Sequence, residues 1–253
     1  MIWVIAGTQD GREIALRLHE ERKEPILVTV VSDYGQQLAS HAGLEVRVGR
    51  FNQSQMEALI REKEITLLVD ASHPYAAVVS ETARAAAANT DISYIRYERP
   101  EVALPEYDNL YHTANEQDAA ELAGRLGERI FLTTGSKTLA VFAKAPALQG
   151  KQVWTRVLPS TEVMQSCLEL GYSPKYIIAM QGPFTYDLNK AMYEATKAEV
   201  VVMKNSGLIG GSDTKLAAAI DCGLTVVVID RPVSRGSWKQ AANYEEIIQL
   251  IGG

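Results

Sequence analysis

The chain has 253 residues, of which 47% are hydrophobic and 22% charged, as expected for a soluble globular protein of one large or two small domains. Thirty-one acidic residues against twenty-five Lys and Arg give a net charge of −6, which excludes a general nucleic-acid binder but not a local basic pocket. The two cysteines and four histidines lack metal-ligand spacing, so we expect no metal site. The apolar start is short and no apolar run has the length of a membrane span; we expect a cytoplasmic protein with reduced thiols and no membrane partner.

Apolar runs of strand length alternate with helical patterns along the whole chain. Several runs are almost continuously β-branched, which is typical of parallel strands buried on both faces. We expect strands at Ile2–Ala6, Ile26–Val31, Glu45–Val48, Thr66–Asp70, Ser93–Arg96, Asn109–Thr113, Arg129–Thr133, Gln152–Val157, Tyr176–Met180, Val200–Met203 and Thr225–Ile229. We expect helices at residues 12–22, 55–63, 76–89, 116–126, 137–144, 161–169, 186–196, 213–221 and 240–251.

This alternation predicts an α/β fold with two Rossmann-like, doubly wound, mainly parallel sheets and a cleft between them. So many strands are too many for one ordinary sheet of this kind. The best boundary is Pro100–Asp108, because its prolines and acidic residues make a poor strand or helix. We expect residues 1–100 to form the nucleotide-binding domain and residues 101–253 a second domain that contributes most of the substrate site.

A glycine-containing loop, Gly7–Arg12, follows the first strand and opens the first helix. Glycine there lets the backbone approach a phosphate, and the helix N-terminus supplies N–H groups and positive potential. The spacing G-x-x-x-G differs from the usual dinucleotide motif, so a plain turn with Asp10 as helix N-cap is the alternative. The expected cofactor contacts here are Gly7, Thr8, Asp10, Gly11 and Arg12.

The second strand ends at Ser32 and Asp33, about 20 residues past the glycines. An acid at this place binds ribose hydroxyls and favours NAD, which Asp33 could do. Ser32 together with Arg12 could equally hold a 2′-phosphate and favour NADP. The residues alone leave both readings open.

A polar cluster, Asp70–His73, follows another buried apolar run, at the strand end where open α/β sheets bind ligands. Pro74 keeps His73 extended and prevents an earlier helix start. We therefore expect Asp70, Ser72 and His73 to line the cofactor site.

Two cations, Arg96 and Arg99, follow the fifth strand and could clamp carboxylates of a substrate. The alternative is an ion-pair network with Glu98 and Glu101.

In the second half, loops rich in hydroxyl groups, glycine and lysine follow several strands, on the side where ligands bind. Glycines between lysines are costly in entropy unless the backbone must approach something closely. The implied ligand is large and carries several carboxylates or phosphates. Expected substrate contacts, besides the two arginines above, are Thr134, Gly135, Ser136, Lys137, Arg156, Gln181, Gly182, Lys204, Ser206, Gly207, Gly210, Gly211 and Lys215. For Arg156, an ordinary charge at a strand end is the alternative.

Seven segments, in one order over nearly the whole chain, resemble the precorrin-6A reductase and cobalt-precorrin-6A reductase family of cobalamin biosynthesis. They are Gly7–Arg12, Asp70–Ala76, Tyr94–Pro100, Thr133–Lys137, Arg156–Pro159, Gln181–Phe184 and Lys204–Gly211. The resemblance implies two Rossmann-like domains that can exchange strands. It also implies an NADPH-dependent oxidoreductase that transfers hydride to one carbon–carbon double bond of a ring-contracted tetrapyrrole. In the family, aspartate is common at the position of Asn205.

The family resemblance favours NADP over NAD, with NADP on residues 1–100. The acetates and propionates of a tetrapyrrole would match the basic loops. Hydride addition leaves an electron pair that needs a proton, and His73 titrates in the right range to supply it. Water or the substrate's own carboxylates are alternative proton sources. Both the cobalt-containing and the metal-free substrate fit these loops, and a monomer is the favoured oligomeric state.

Three other functions compete with this interpretation. A short-chain dehydrogenase or epimerase acting on a nucleotide sugar needs a Tyr-x-x-x-Lys pair, and Tyr186 with Lys190 lies in the wrong half. A non-catalytic dinucleotide-binding redox sensor would not need the glycine-rich loops of the second half. Uroporphyrinogen-III synthase also has two α/β halves and a tetrapyrrole substrate, but it uses no nucleotide.

Overall fold

The computed structural model describes residues 1–41, 43–232 and 238–252. These residues form an α/β fold with two six-stranded, all-parallel sheets and ten α-helices, which confirms the predicted fold class. The chain divides into two compact units. The first unit comprises Met1–Pro100 with Pro232–Gly253, and the second unit comprises Glu101–Arg231.

The elements follow one another in strand–helix alternation. In chain order they are β1 (Ile2–Ile5), α1 (Gln9–Arg22), β2 (Ile26–Val30), α2 (Asp33–Ala39), β3 (Leu44–Val48), α3 (Gln53–Glu62), β4 (Leu67–Asp70), α4 (Ala77–Asn89), β5 (Ser93–Tyr97), β6 (Leu110–Thr113), α5 (Glu116–Leu126), β7 (Arg129–Leu132), α6 (Leu139–Lys144), β8 (Gln152–Val157), α7 (Thr161–Glu169), β9 (Ile177–Ala179), α8 (Tyr186–Thr196), β10 (Val200–Lys204), α9 (Ser212–Asp221), β11 (Thr225–Ile229), β12 (Lys239–Ala241) and α10 (Tyr244–Gly252).

The sheet of the first unit has the order β12-β5-β4-β1-β2-β3. Ile5 of β1 pairs with Thr29 on one side and with Asp70 on the other. The chain runs outward from β1 through β2 and β3 and then returns to β4 on the other side of β1. The order therefore reverses between β1 and β4, and the crevice at such a reversal is where open α/β sheets bind dinucleotides.

The sheet of the second unit has the order β6-β11-β10-β7-β8-β9. Here the order reverses between β7 and β10, which pair through Phe131 and Val201. Because both strands are parallel, the loops that leave their carboxyl ends lie side by side. The second unit thus has a ligand position of its own, equivalent to that of the first.

Consecutive residues of the central strands point to opposite faces of the first sheet, and both faces are buried. Val4 belongs to the core that includes Leu18 of α1, while Trp3 belongs to the core that includes Met56 of α3. The β-branched central strands predicted from the sequence therefore lie between two helical layers.

Residues 238–252 correct the expected domain assignment. Lys239–Ala241 pair in parallel with β5, and Tyr244 and Ile247 of α10 are buried in the core of the first sheet. The expectation that residues 101–253 form the second domain is therefore wrong for the C-terminal segment, which completes the edge of the first sheet.

All predicted strands are present, with ends within one residue of those expected, but two elements were missed. The short helix α2 buries only Ala39, so it has no apolar stripe to detect. Strand β12 falls inside the start of the helix expected at residues 240–251, and that helix begins at Tyr244.

Candidate active site

The loop after β1 is joined to the loop after β4 by Thr8. Its hydroxyl accepts a hydrogen bond from the Gly11 amide at 3.2 Å and donates one to the Ala71 carbonyl at 3.2 Å. Thr8 is thus the N-cap of α1, and the alternative that assigned this cap to Asp10 is wrong. The contact ties the predicted phosphate loop to the loop of Asp70–His73, which was expected to line the cofactor site, at the strand-order reversal.

The two glycines of the first loop have different roles. A Cβ on the exposed Gly7 would meet nothing within 4 Å, so the backbone there is open to a close approach by a ligand. A Cβ on the buried Gly11 would lie 2.9 Å from the Ala6 Cα and 3.1 Å from the Ala71 oxygen. Gly11 therefore lets α1 pack directly on the strand ends, while Gly7 leaves room for a phosphate.

Asp10 is committed to an internal ion pair. Its two carboxylate oxygens lie 2.8 and 2.7 Å from Nη1 of Arg99, and the Tyr97 hydroxyl donates to it at 3.3 Å. Burial and the nearby Asp10 raise the pKa of Tyr97 to about 12. The structure thus pairs Asp10 and Arg99 with each other, whereas the sequence assigned one to the cofactor and the other to the substrate.

Arg96 organises the loop that follows β4. It is buried, forms an ion pair with Asp70 at 3.0 Å, and donates to the Ser72 hydroxyl at 3.0 Å. The fully buried Asp70 also accepts hydrogen bonds from the Ser72 amide and from the Tyr94 hydroxyl, and burial together with this carboxylate raises the pKa of Tyr94. Asp70 and Arg96 therefore hold the loop in shape, and the substrate contact expected for Arg96 stays a prediction.

His73 lies half-buried at the end of the same loop. Its Nδ1 accepts a hydrogen bond from the Tyr75 amide at 3.3 Å. Because Nδ1 acts as an acceptor, the neutral imidazole carries its proton on Nε2. The neighbouring Ser72 shares a hydrogen bond with Ser80 at 3.3 Å, so its hydroxyl is positioned as well.

Ser32 and Asp33 lie at the start of α2. The Ser32 hydroxyl accepts from the Gly35 amide at 3.1 Å and caps this helix, and both residues are exposed. Arg12 lies half-buried in α1. The Ser32 hydroxyl can still donate its own proton to a ligand. The arrangement is therefore compatible both with ribose binding by Asp33, as for NAD, and with 2′-phosphate binding by Ser32 and Arg12, as for NADP.

The loop after β7 contains a backbone that only glycine adopts without strain. Gly135 has φ 77° and ψ −179°, and a Cβ there would meet nothing within 4 Å. Thr134 and Ser136 flank it half-buried, and Lys137 is exposed in the short 3₁₀ helix that follows. This open, glycine-centred turn lies beside the strand-order reversal of the second unit.

The loop after β10 is held by internal contacts. Lys204 pairs with Glu116 at 2.8 Å, and the buried Lys215 donates to the Gly210 carbonyl at 2.6 Å. A Cβ on Gly210 would lie 2.1 Å from the Ser206 hydroxyl oxygen, so glycine is required there to accommodate that side chain. Both lysines that were predicted to face a polyanion thus also serve the loop itself.

The left-handed glycines shape the rest of this loop. Gly207 has φ 81°, and Gly211, with φ 63°, is the N-cap residue that precedes α9. Between them Leu208 and Ile209 are 69% and 46% exposed. Sequence reasoning concentrated on the polar residues and missed this apolar tip, although two large aliphatic side chains inside a glycine loop are a readable signal.

The loop after β9 packs against an arginine of β8. Arg156 is 5% exposed, and its guanidinium carbon lies 3.7 Å from the centroid of the Phe184 ring. Gln181 is exposed, and Gly182 packs so that a Cβ would lie 2.8 Å from Phe184. The sequence placed all three in the substrate site, and the structure brings Arg156 and Gly182 against the same ring.

Two further properties concern the described residues as a group. They contain no helix that is long and apolar enough to cross a membrane. Within the same ranges, no three His, Cys, Asp or Glu side chains come together as a metal site.

Comparisons with known proteins agree over the full chain. The model of a family described as precorrin-6x reductase CbiJ/CobK matches residues 1–252. A cobalt-precorrin-6A reductase of Priestia megaterium is 40% identical over 99% of this chain and 98% of its own, and one of Salmonella typhimurium is 38% identical over 91% and 87%. A solved structure of CobK precorrin-6A reductase, 24% identical, superposes with a TM-score of 0.80 over 99% of this chain and 96% of that one.

Proposed function

This chain belongs to the precorrin-6x reductase family, and from that premise we propose that it is an NADPH-dependent reductase of cobalt-precorrin-6A, forming cobalt-precorrin-6B in cobalamin biosynthesis. The observation that carries the proposal is the extent of the family match, which includes residues 1–252 and therefore both units. A reductase of this kind needs two ligands, a hydride donor and the conjugated ring that receives the hydride. The fold offers two ligand positions, one at the strand-order reversal of each sheet. The relatives of 40% and 38% identity bear the cobalt form of the name, which supports the cobalt-containing substrate.

The residues of the first unit fit a nicotinamide dinucleotide. Gly7 leaves its backbone open beside the N-terminus of α1, at the strand-order reversal where such cofactors bind. A pyrophosphate would take Gly7 and the amides of the first helical turn, and Arg12 with Ser32 would take a 2′-phosphate. When bound, the cofactor supplies the hydride, and the protein supplies position and electrostatics.

The second unit offers the residues for the tetrapyrrole. The open turn at Gly135, with the exposed Lys137, would receive carboxylates at the rim of the macrocycle. The exposed Leu208 and Ile209 would contact its apolar faces. A ligand that is apolar on its faces and anionic at its edge matches this combination.

His73 is the proposed proton donor for the carbon next to the one that receives hydride. The loop that carries it is fixed by the buried Asp70–Arg96 pair. The proton would leave from Nε2 of the imidazolium form, in which Nδ1 gives up its hydrogen bond from the Tyr75 amide. Histidine is the side chain most often used for proton transfer in enzymes, which supports this assignment.

The test combines binding and turnover. Titration with NADPH and with NADH gives two dissociation constants, and loss of nicotinamide absorbance is then followed with cobalt-loaded and metal-free precorrin-6A. We expect tighter NADPH binding and cofactor oxidation only when the tetrapyrrole is present. Binding without oxidation would indicate a redox sensor, and absence of nucleotide binding would favour a tetrapyrrole enzyme without a cofactor; either result contradicts the proposal.

A further inference from the structure

Arg156 is a buried cation with no acidic partner in the part of the chain that the structure describes. Only 5% of the residue is exposed, yet no described Asp or Glu forms an ion pair with it. Burial lowers the pKa of its guanidinium to about 10, so the group still carries its charge at neutral pH. A buried charge without a counter-ion is strongly unfavourable, and proteins therefore rarely keep one for structural reasons alone.

The surroundings hold the guanidinium in place without neutralising it. Nη1 donates to Oδ1 of Asn189 at 2.7 Å and lies 3.5 Å from the sulfur of Met192, while the Phe184 ring covers one face. Asn189 is itself oriented, because its amide nitrogen donates to the Thr185 carbonyl at 2.9 Å. These contacts fix the plane of the group but supply no negative charge.

The helix beside this group adds no compensation either. Asn189 lies in the first turns of α8, whose N-cap is Thr185. The potential at a helix end falls off within one turn, and the partners of Arg156 on this helix, Asn189 and Met192, are both uncharged.

The guanidinium is not completely sealed from solvent. Within the described ranges, the side-chain nitrogens and oxygens that are fully buried without a partner belong to His19, Trp154 and Thr155. Nε and Nη2 of Arg156 are therefore not sealed in the core. A guanidinium with one nitrogen anchored and another edge accessible can bind a carboxylate through two parallel N–H donors.

We propose that Arg156 is the specificity-determining anchor for one acetate or propionate carboxylate of the tetrapyrrole, which supplies the counter-ion that the protein lacks. This inference rests on the proposed function and assigns a distinct carboxylate subsite between β8 and α8. The uncompensated charge lowers the free energy of unfolding of the free enzyme. The carboxylate of the substrate neutralises it on binding.

The test measures substrate KM and stability on the same variants. Arg156→Met keeps an apolar side chain of comparable length, and Arg156→Lys keeps the charge without the planar fork. We expect Arg156→Met to raise the KM for cobalt-precorrin-6A by roughly tenfold to a hundredfold, the range for a lost hydrogen bond to a charged group. Arg156→Lys should fall between it and the wild type, and the KM for NADPH should not change.

Stability separates binding from a merely structural role. If Arg156 binds a substrate carboxylate, the urea midpoint of Arg156→Met stays level or rises, because an uncompensated buried charge has been removed. Arg125→Gln, at an exposed arginine of α5, is the matched control and should change neither quantity. A lower urea midpoint with an unchanged substrate KM would overturn the inference. Absence of wild-type turnover would instead contradict the proposed function.

Discussion

Asn205 binds both polar groups of the Val102 backbone. Its Oδ1 accepts from the Val102 amide at 3.0 Å, and its Nδ2 donates to the Val102 carbonyl at 2.8 Å. Its own carbonyl accepts from Nε of Arg231 at 3.0 Å, and Arg231 also pairs with Glu101 at 3.1 Å. Since the chain enters the second unit at Glu101 and leaves it at Arg231, both connections are fastened at the end of β10.

Replacing the Asn205 side chain should therefore loosen the connection at Val102, whereas the bond from Arg231 uses the main-chain carbonyl and is kept. Asn205→Ala leaves the Val102 amide and carbonyl without their partner, and we expect a loss of about 1–3 kcal/mol in the free energy of unfolding. Urea denaturation measures this loss. The exposed Gln165→Ala in α7 is the control and should change stability by less than about 0.5 kcal/mol. Equal urea midpoints for the two variants would show that the side-chain contacts of Asn205 do not stabilise the fold.

The Asp10–Arg99 pair gives a second prediction about stability. Both partners are buried, so Arg99→Met alone should cost about 3–5 kcal/mol by leaving the Asp10 carboxylate without its cation. Asp10→Asn removes the same ion pair from the other side. The double variant should be more stable than the sum of the two losses implies, because no buried charge then remains. Additive losses in urea denaturation would mean that the two groups do not interact.

Tyr97 provides a prediction for alkaline pH. Its pKa is raised to about 12 in the folded chain, so between about pH 10 and 12 the unfolded chain binds fewer protons than the folded one. Stability that is fully present below pH 10 should fall as pH rises through this window. In Tyr97→Phe that part of the decrease should be missing. Thermal unfolding at several alkaline pH values compares the two slopes, and identical slopes would contradict this reading of Tyr97.

The glycines of the first loop separate cofactor binding from packing. A methyl group at Gly7 enters open space, so Gly7→Ala should unfold like the wild type but raise the KM for NADPH about tenfold, since the added methyl obstructs the phosphate. At Gly11 the same change forces α1 away from the strand ends and should cost about 1–3 kcal/mol. Unfolding curves and NADPH titrations are measured on both variants. A loss of stability in Gly7→Ala together with weaker NADPH binding in Gly11→Ala would refute the assignment.

The sequence was sufficient for the strands and the position of the loops, but not for the partners of the charged residues. Strand patterns are local, and the buried apolar runs of β1, β10 and β11 can be recognised as strands from the sequence. Arg99 meets an acid 89 residues away, and no spacing rule reveals such a pair. The short edge strand β12 depends on pairing with β5, so tertiary structure determined an element that local propensity assigned to a helix.

His73 gives the prediction that bears most directly on the reaction. In His73→Asn the amide oxygen can take over the hydrogen bond from the Tyr75 amide, so the loop is kept, but no titratable donor remains. If His73 donates the proton, kcat should fall by roughly 10²–10⁴-fold, while the KM for NADPH stays nearly constant. The pH dependence of kcat should lose the limb near neutral pH, because that limb reports the group that must be protonated. Ser80→Ala, which removes only the partner of Ser72 in the same loop, should retain that limb. A His73→Asn enzyme with wild-type kcat and an unchanged pH profile would assign the proton to water or to a carboxylate of the substrate.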